Sequence, residues 1–148
     1  MLEIAWKKLK EDAKKPQRAH DTDAGFDLYA AEDMDIHYKE TVIVPTGYAV
    51  QQFPPEGWNS FGKVEDTSGN AARVQIKTAG GVIDVDYQGE IGVIIRNNNP
   101  DETVHIIKGK KVAQIIFHLL PIIKEVEWKE IETERGSDGF GSTGVANA

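Results

Sequence analysis

An all-β fold is predicted by three features of this 148-residue chain. Apolar residues recur in short runs rich in β-branched types, turn signals separate the runs, and fourteen glycines and six prolines are spread along the length. Short strands at regular spacing build a sandwich, a jelly roll or a barrel. The length fits one domain with a sizeable core.

Residues 4–9 read as the opening strand. Residues 41–50 read as a strand interrupted at Pro45, because proline lacks the donor that a ladder needs and is confined to an edge or a bulge. Residues 74–76, 81–83, 91–95, 104–107 and 112–117 continue the series. Turn signals stand between them at Pro54-Pro55-Glu56-Gly57, Asn97-Asn98-Asn99-Pro100 and Lys108-Gly109-Lys110. One short helix is predicted over residues 68–73, with Ser68 able to cap its first turn. Residues 1–128 form the predicted β domain, and 129–148 a charged connector followed by a glycine-rich arm.

Charge and composition exclude several function classes. The net charge is −7, from 24 acidic and 17 basic residues, so the chain has no general attraction for a nucleic-acid polymer or an anionic membrane. With no cysteine there is no disulfide and no thiolate-held zinc or iron. No stretch of about 18 apolar residues occurs, and the expected localisation is cytoplasmic. His20, His37, His105 and His118 are scattered, without metal-ligand spacing.

Five segments carry the candidate chemistry. Asp27 stands among apolar residues in Ala24-Gly25-Phe26-Asp27-Leu28-Tyr29-Ala30, where it reads equally as a turn or strand-start aspartate. Asp66-Thr67-Ser68-Gly69-Asn70 puts a hydroxyl at a predicted helix start, suited to capping or to holding an anion. Residues 80–91 place two apolar runs around the acidic stretch Asp84-Val85-Asp86-Tyr87-Gln88-Gly89, which reads as a β-hairpin. Alternation puts Asp84 and Asp86 on one face and Tyr87 on the other. The exposed backbone edge of such a hairpin can pair with uracil as another base does. Gln114 is the one polar residue inside the apolar strand 112–117 and needs hydrogen-bond partners, from protein or ligand. The arm, Arg135-Gly136-Ser137-Asp138-Gly139-Phe140-Gly141-Ser142-Thr143-Gly144, combines a guanidinium, hydroxyls and one aromatic ring. That composition suits either a disordered end or a lid closing on a nucleotide.

In this order the five segments resemble the motifs of the trimeric deoxyuridine triphosphate nucleotidohydrolase (dUTPase) family. The resemblance implies a distorted, β-clip-like jelly roll assembled as a homotrimer, with a C-terminal arm exchanged between subunits. It implies hydrolysis of dUTP to dUMP and pyrophosphate by Mg²⁺-dependent attack of water on the α-phosphorus. Asp84 matches the catalytic carboxylate, which also holds the sugar 3′-hydroxyl. A carboxylate is a weak base for bulk water, so its contribution comes largely from positioning. Tyr87 matches the residue packed under deoxyribose, Gly81 and Gly92 the positions whose backbone faces uracil, and Phe140 the ring stacked over the base. Ser68, Gly69, Gln114, Arg135, Gly141, Ser142 and Thr143 match phosphate-binding positions. Asp27 matches an outer-shell carboxylate that reaches Mg²⁺ through water.

Two positions depart from the family pattern. Thr67 stands where an arginine usually precedes the motif serine, and Lys111 where arginine is common. Threonine offers phosphate neither the charge nor the fork of a guanidinium. Lys63, Arg73 and Lys77 are the nearby cations able to compensate. Two other functions share these features: a dCTP deaminase of the same fold, and a nucleotide-binding regulator with weak catalysis, which the Thr67 departure suggests.

Overall fold

The computed structural model describes residues 1–138. In chain order the strands are β1 (Glu3–Lys8), β2 (Gly25–Tyr29), β3 (Met34–Ile36), β4 (Thr41–Pro45), β5 (Tyr48–Phe53) and β6 (Trp58–Glu65). A single turn of π-helix (Asn70–Val74) follows, then β7 (Ile76–Thr78), β8 (Val82–Asp84), β9 (Gly92–Asn97), β10 (Val104–Ile106) and β11 (Lys111–Pro121). Every pairing is antiparallel. A four-stranded sheet runs β2-β11-β6-β8, a three-stranded one β4-β9-β7, and β1-β5 and β3-β10 form two-stranded pairs. The predicted all-β class is observed.

The break at Pro45 is a change of sheet. Val44 and Pro45 pair with β9, whereas Tyr48 begins the pairing with β1. Gly47 makes the corner at φ +70°, and a Cβ there would lie 2.5 Å from that of Ala13. Both the left-handed backbone and the close approach therefore require glycine.

Leu28, Ile36, Val44, Ile91, Val93, Ile95 and Ile115 are fully buried and knit the sheets together. Burying each of these large side chains is worth about 1.5–3 kcal/mol. At one end Trp6, Phe26 and Phe117 meet edge to face, with centroids 5.7–6.0 Å apart, so β1 is sealed against the β2–β11 pair. After Pro121 the described chain has no further strand and is exposed, including Ile122, Ile123, Val126, Trp128 and Ile131.

Candidate active site

The first group of expected site residues gathers where β2 and β11 meet the loop after β6. Asp27 and Gln114 are register partners across β2 and β11, and Gln114 is also paired with Glu65 of β6. The Asp27 carboxylate, largely buried, accepts an ion pair from Lys111 Nζ at 2.7 Å. Gln114 Nε2 donates to the Asp66 carbonyl at 3.0 Å, which fastens the loop to β11. A Cβ on Gly25 would lie 2.5 Å from Gln114 Oε1, so the glutamine amide occupies room left by the missing side chain.

The loop itself differs from the sequence expectation. Ser68 does not cap the helical turn: Gly69 occupies the N-cap with helical φ and ψ, and it has no side chain to serve. Thr67 takes this part instead. Its Oγ1 accepts from Asn70 N at 3.4 Å and its carbonyl from Ala71 N at 3.0 Å. Asn70 is tied to a distant strand instead, as its Nδ2 donates to the Val112 carbonyl of β11 at 3.1 Å. Five residues of π-helix also sum few peptide dipoles, so the anion argument for this loop rests on the Ser68 hydroxyl and local N–H groups rather than on a macrodipole. Ser68 and Gly69 are exposed.

Asp66, to which the sequence assigns no role, is the hub of this loop. Its Oδ1 accepts from Thr78 N and its Oδ2 from Lys77 Nζ, both at 2.7 Å. Burial alone raises the pKa of this carboxyl, but the hydrogen bonds from Lys77 and Thr78 outweigh it and hold the group below the ordinary carboxylate range. Asp66 in turn raises the Lys77 pKa, through its hydrogen bond first and its charge second. Lys77 is thus committed to Asp66. Lys63 donates to the Gly80 carbonyl at 3.0 Å and lies 4.0 Å from Glu65. Of the cations able to stand in for the missing arginine, Arg73 alone is exposed and without a hydrogen bond or ion pair among the described residues.

The second group lies around residues 80–92, and here the hairpin expectation is corrected. The base of the segment is hairpin-like, since β7 pairs with β9 and Ala79 N donates to the Ile94 carbonyl. Gly80 and Gly81 then take φ +65° and +90°, and the first arm leaves β9 to pair with β6. The second arm is held elsewhere: Ile91 N donates to Tyr48 O at 2.8 Å, and Thr46 Oγ1 donates to Ile91 O at 2.7 Å. The arms are splayed. A cavity of about 280 Å³ opens between them, lined by Ile43, Val82, Ile83, Asp84, Tyr87, Glu90, Gly92 and Ile94.

Asp84 ends β8, exposed, and lines both this cavity and a second one of about 530 Å³ with Asn59, Ser60, Phe61 and Leu120. Asp86 does not share its extended face, because the chain turns after Asp84 and Tyr87 N donates back to Asp84 O at 3.1 Å. Tyr87 is fixed at its far end, its hydroxyl donating to Glu90 O at 2.9 Å. Its ring lies against Gly89, where a Cβ would come within 2.5 Å of the hydroxyl. On Gly81 a Cβ would stand 2.9 Å from Val64 O, and on Gly92 it would stand 2.6 Å from Ile43 Cγ2. Gly92 is therefore required by the cavity wall at Ile43, and Gly81 by the approach of the first arm to β6.

The two groups occupy different stretches of one sheet. Asp84 is registered with Phe61 and Gln114 with Glu65, positions four residues apart on β6, or about 13 Å along the strand. Arg135 joins neither; its Nε donates to Asp138 O at 2.8 Å in an exposed turn. Phe140, Gly141, Ser142 and Thr143 lie outside the described residues. Among the described residues no three carboxylate or imidazole groups converge to hold a metal.

A model of the dUTPase family matches residues 11–144. A deoxyuridine 5′-triphosphate nucleotidohydrolase of Clostridium tetani is 40% identical over 144 residues, which cover 93% of this chain and 94% of that one. The human mitochondrial enzyme of the same name is 39% identical over 97% of this chain and 55% of its own length. Among solved structures, the dUTPase of Staphylococcus bacteriophage 80alpha with dUPNHPP superposes with a TM-score of 0.80 at 29% identity, covering 97% of this chain and 99% of that one. A mutant dUTPase from phage phi11 of S. aureus, described with the coordination of a structural Mg(II) ion, gives 0.71 at 27% identity over 89% and 99% of the two chains.

Proposed function

We propose that this chain, which belongs to the dUTPase family, hydrolyses dUTP to dUMP and pyrophosphate. The observation that carries this reading is the cavity between the splayed arms, with Asp84 at its edge and Tyr87 clamped along its wall. Splaying leaves the two arms unpaired with each other, although each is held on its other side by β6 or by Thr46 and Tyr48, and backbone edges that face the cavity suit the donor and acceptor edge of uracil. An analogue with a mismatched edge leaves a buried polar group unpaired, at about 1–3 kcal/mol. The relatives matched carry the nucleotidohydrolase name, so the deaminase alternative is not favoured.

In this reading Asp84 positions and deprotonates the attacking water and holds the 3′-hydroxyl, and Tyr87 packs under the sugar beside Gly81 and Gly92. Ser68, Gly69 and Gln114 bind phosphate oxygens, and Arg135, Gly141, Ser142 and Thr143 close over them, with Phe140 stacked on the base. The 13 Å offset along β6 between the Asp84 and Gln114 positions supports a site completed between subunits. We assign the chain to a homotrimer in which residues 1–128 form the β domain and 129–148 the exchanged arm. The exposed apolar residues from Leu119 to Ile131 supply surface for that assembly.

Magnesium fits the donor set in one way. A lone carboxylate already paired with Lys111 cannot build an all-protein cage, but it can hold water on a Mg²⁺ whose other ligands are phosphate oxygens. Asp27 would be that carboxylate, and the ion would neutralise charge on the triphosphate. Pyrophosphate release from dUTP, dCTP, dTTP and UTP, with and without Mg²⁺, tests the reading. Selective, Mg²⁺-stimulated release from dUTP is expected; equal release from all four removes the hairpin-cavity argument.

A further inference from the structure

We propose that Gln52 is a positioning residue that holds Asp84 and the turn to Tyr87 in place, at the expense of core packing. Gln52 sits on β5 at an inward position, only 6% exposed, on the same face as buried Val50. Its Nε2 donates to two consecutive carbonyls, Ile83 O at 3.1 Å and Asp84 O at 3.3 Å. Asp84 O also accepts from Tyr87 N, so a single carbonyl joins the tether from β5 to the turn that presents the carboxylate and the ring.

The other end of the amide shows what this arrangement sacrifices. Gln52 Oε1 is buried without a hydrogen-bond partner among the described residues. Turning the amide over would satisfy nothing, because it would set an oxygen against two carbonyl oxygens. An aliphatic side chain of similar length would fill the same inward position with no orphaned acceptor. A polar residue kept where an apolar one packs better belongs to a site under a positional demand. That demand is the path of β8 beyond Ile83, where the ladder to β6 ends at the Asp84–Phe61 pair and β9 lies across the cavity. Without the tether, the Asp84 backbone has the turn hydrogen bond from Tyr87 and its edge pairing alone.

The inference rests on Asp84 and Tyr87 serving as proposed above, and two readouts separate its failure from theirs. In Gln52→Leu and Gln52→Met, thermal stability is expected to be unchanged or raised. The kcat for dUTP should fall about tenfold and the preference for dUTP over UTP should narrow, since small misplacements of a reacting group are costly. Independently of any activity, the Tyr87 amide in the ligand-free variants should exchange with solvent at least about tenfold faster, read by NMR. Variants that fold with wild-type Tyr87 protection and wild-type kcat overturn the proposal. So does failure of both variants to fold, which would make Gln52 a core residue and nothing more. A wild type that leaves dUTP intact while the variants lose Tyr87 protection would sink the hydrolase reading and leave the tether standing.

Discussion

Gly25 and Gln114 share one volume: the side chain of Gln114 lies where a Cβ on Gly25 would be, 2.5 Å from its Oε1. The amide is the far end of a flexible side chain, so Gly25→Ala is expected to move it rather than the strands. Stability should drop by less than about 1 kcal/mol, within the range of mild substitutions. The hydrogen bond from Gln114 to Asp66 O should be lost and KM for dUTP should rise, with kcat less affected. Calorimetry and steady-state kinetics on the same preparation check both halves.

Asp66 links β7 to the loop that carries Ser68, and its pKa is held down in the folded state. A group with a depressed folded pKa contributes stability above its unfolded value, about 3.9, and that contribution is lost as pH falls through the lower folded value. Wild-type stability should therefore decline below about pH 4, and Asp66→Ala should flatten part of that decline. At neutral pH the variant should be less stable by about 1–3 kcal/mol, because the Thr78 amide loses its acceptor. Urea titrations at neutral pH and in acid below the unfolded pKa measure the difference.

Backbone conformation yields opposite predictions at two nearby sites. Gly81→Ala places a side chain at φ +90° and against Val64 O, and should cost about 1–3 kcal/mol. Gln75, which closes the π-helical turn at φ 57°, bears a strain that glycine would not. Gln75→Gly should stabilise the protein by roughly 1 kcal/mol. Chemical denaturation of the pair tests the sign.

Asp84 is exposed and makes no ion pair among the described residues, so Asp84→Asn should fold with unchanged stability. If the carboxylate acts on the attacking water, kcat should fall by about 10²–10⁴. Ending the chain after Glu134 should likewise leave the β domain folded and lower hydrolysis sharply. Activity that survives in either variant would remove that group from the mechanism.

Much of the fold is legible in the sequence because its strands bury β-branched residues in the runs where they occur, as at Ile91 to Ile95 and Val112 to Phe117. The central strand β6 is not. Its inward positions are Ser60, Gly62 and Val64, and Ile115 and Phe117 of β11 fill the space above Gly62, so the bulk that marks a strand is carried by its neighbour. Residues 80–91 read from sequence as a β-hairpin, whereas the first arm pairs with β6 and the second is held at Thr46 and Tyr48. The separation of the arms depends on contacts with Val64, Thr46 and Tyr48, far away in sequence. Serine caps well, which favours Ser68 on sequence grounds, but Thr67 one residue earlier has the geometry. Gln52 and Asp66 give no signal, since an isolated glutamine or aspartate shows its role only through the groups it meets.

The splayed arms concentrate vulnerability. The space between them is created by the route of the main chain, through two left-handed glycines and an anchor at Ile91, more than by any large side chain. Drift at exposed Gln88, which does not line it, should leave that space almost unaltered. A single added methyl group at Gly81 would distort it, so the mutational sensitivity of this wall extends to a residue that contributes no surface to it.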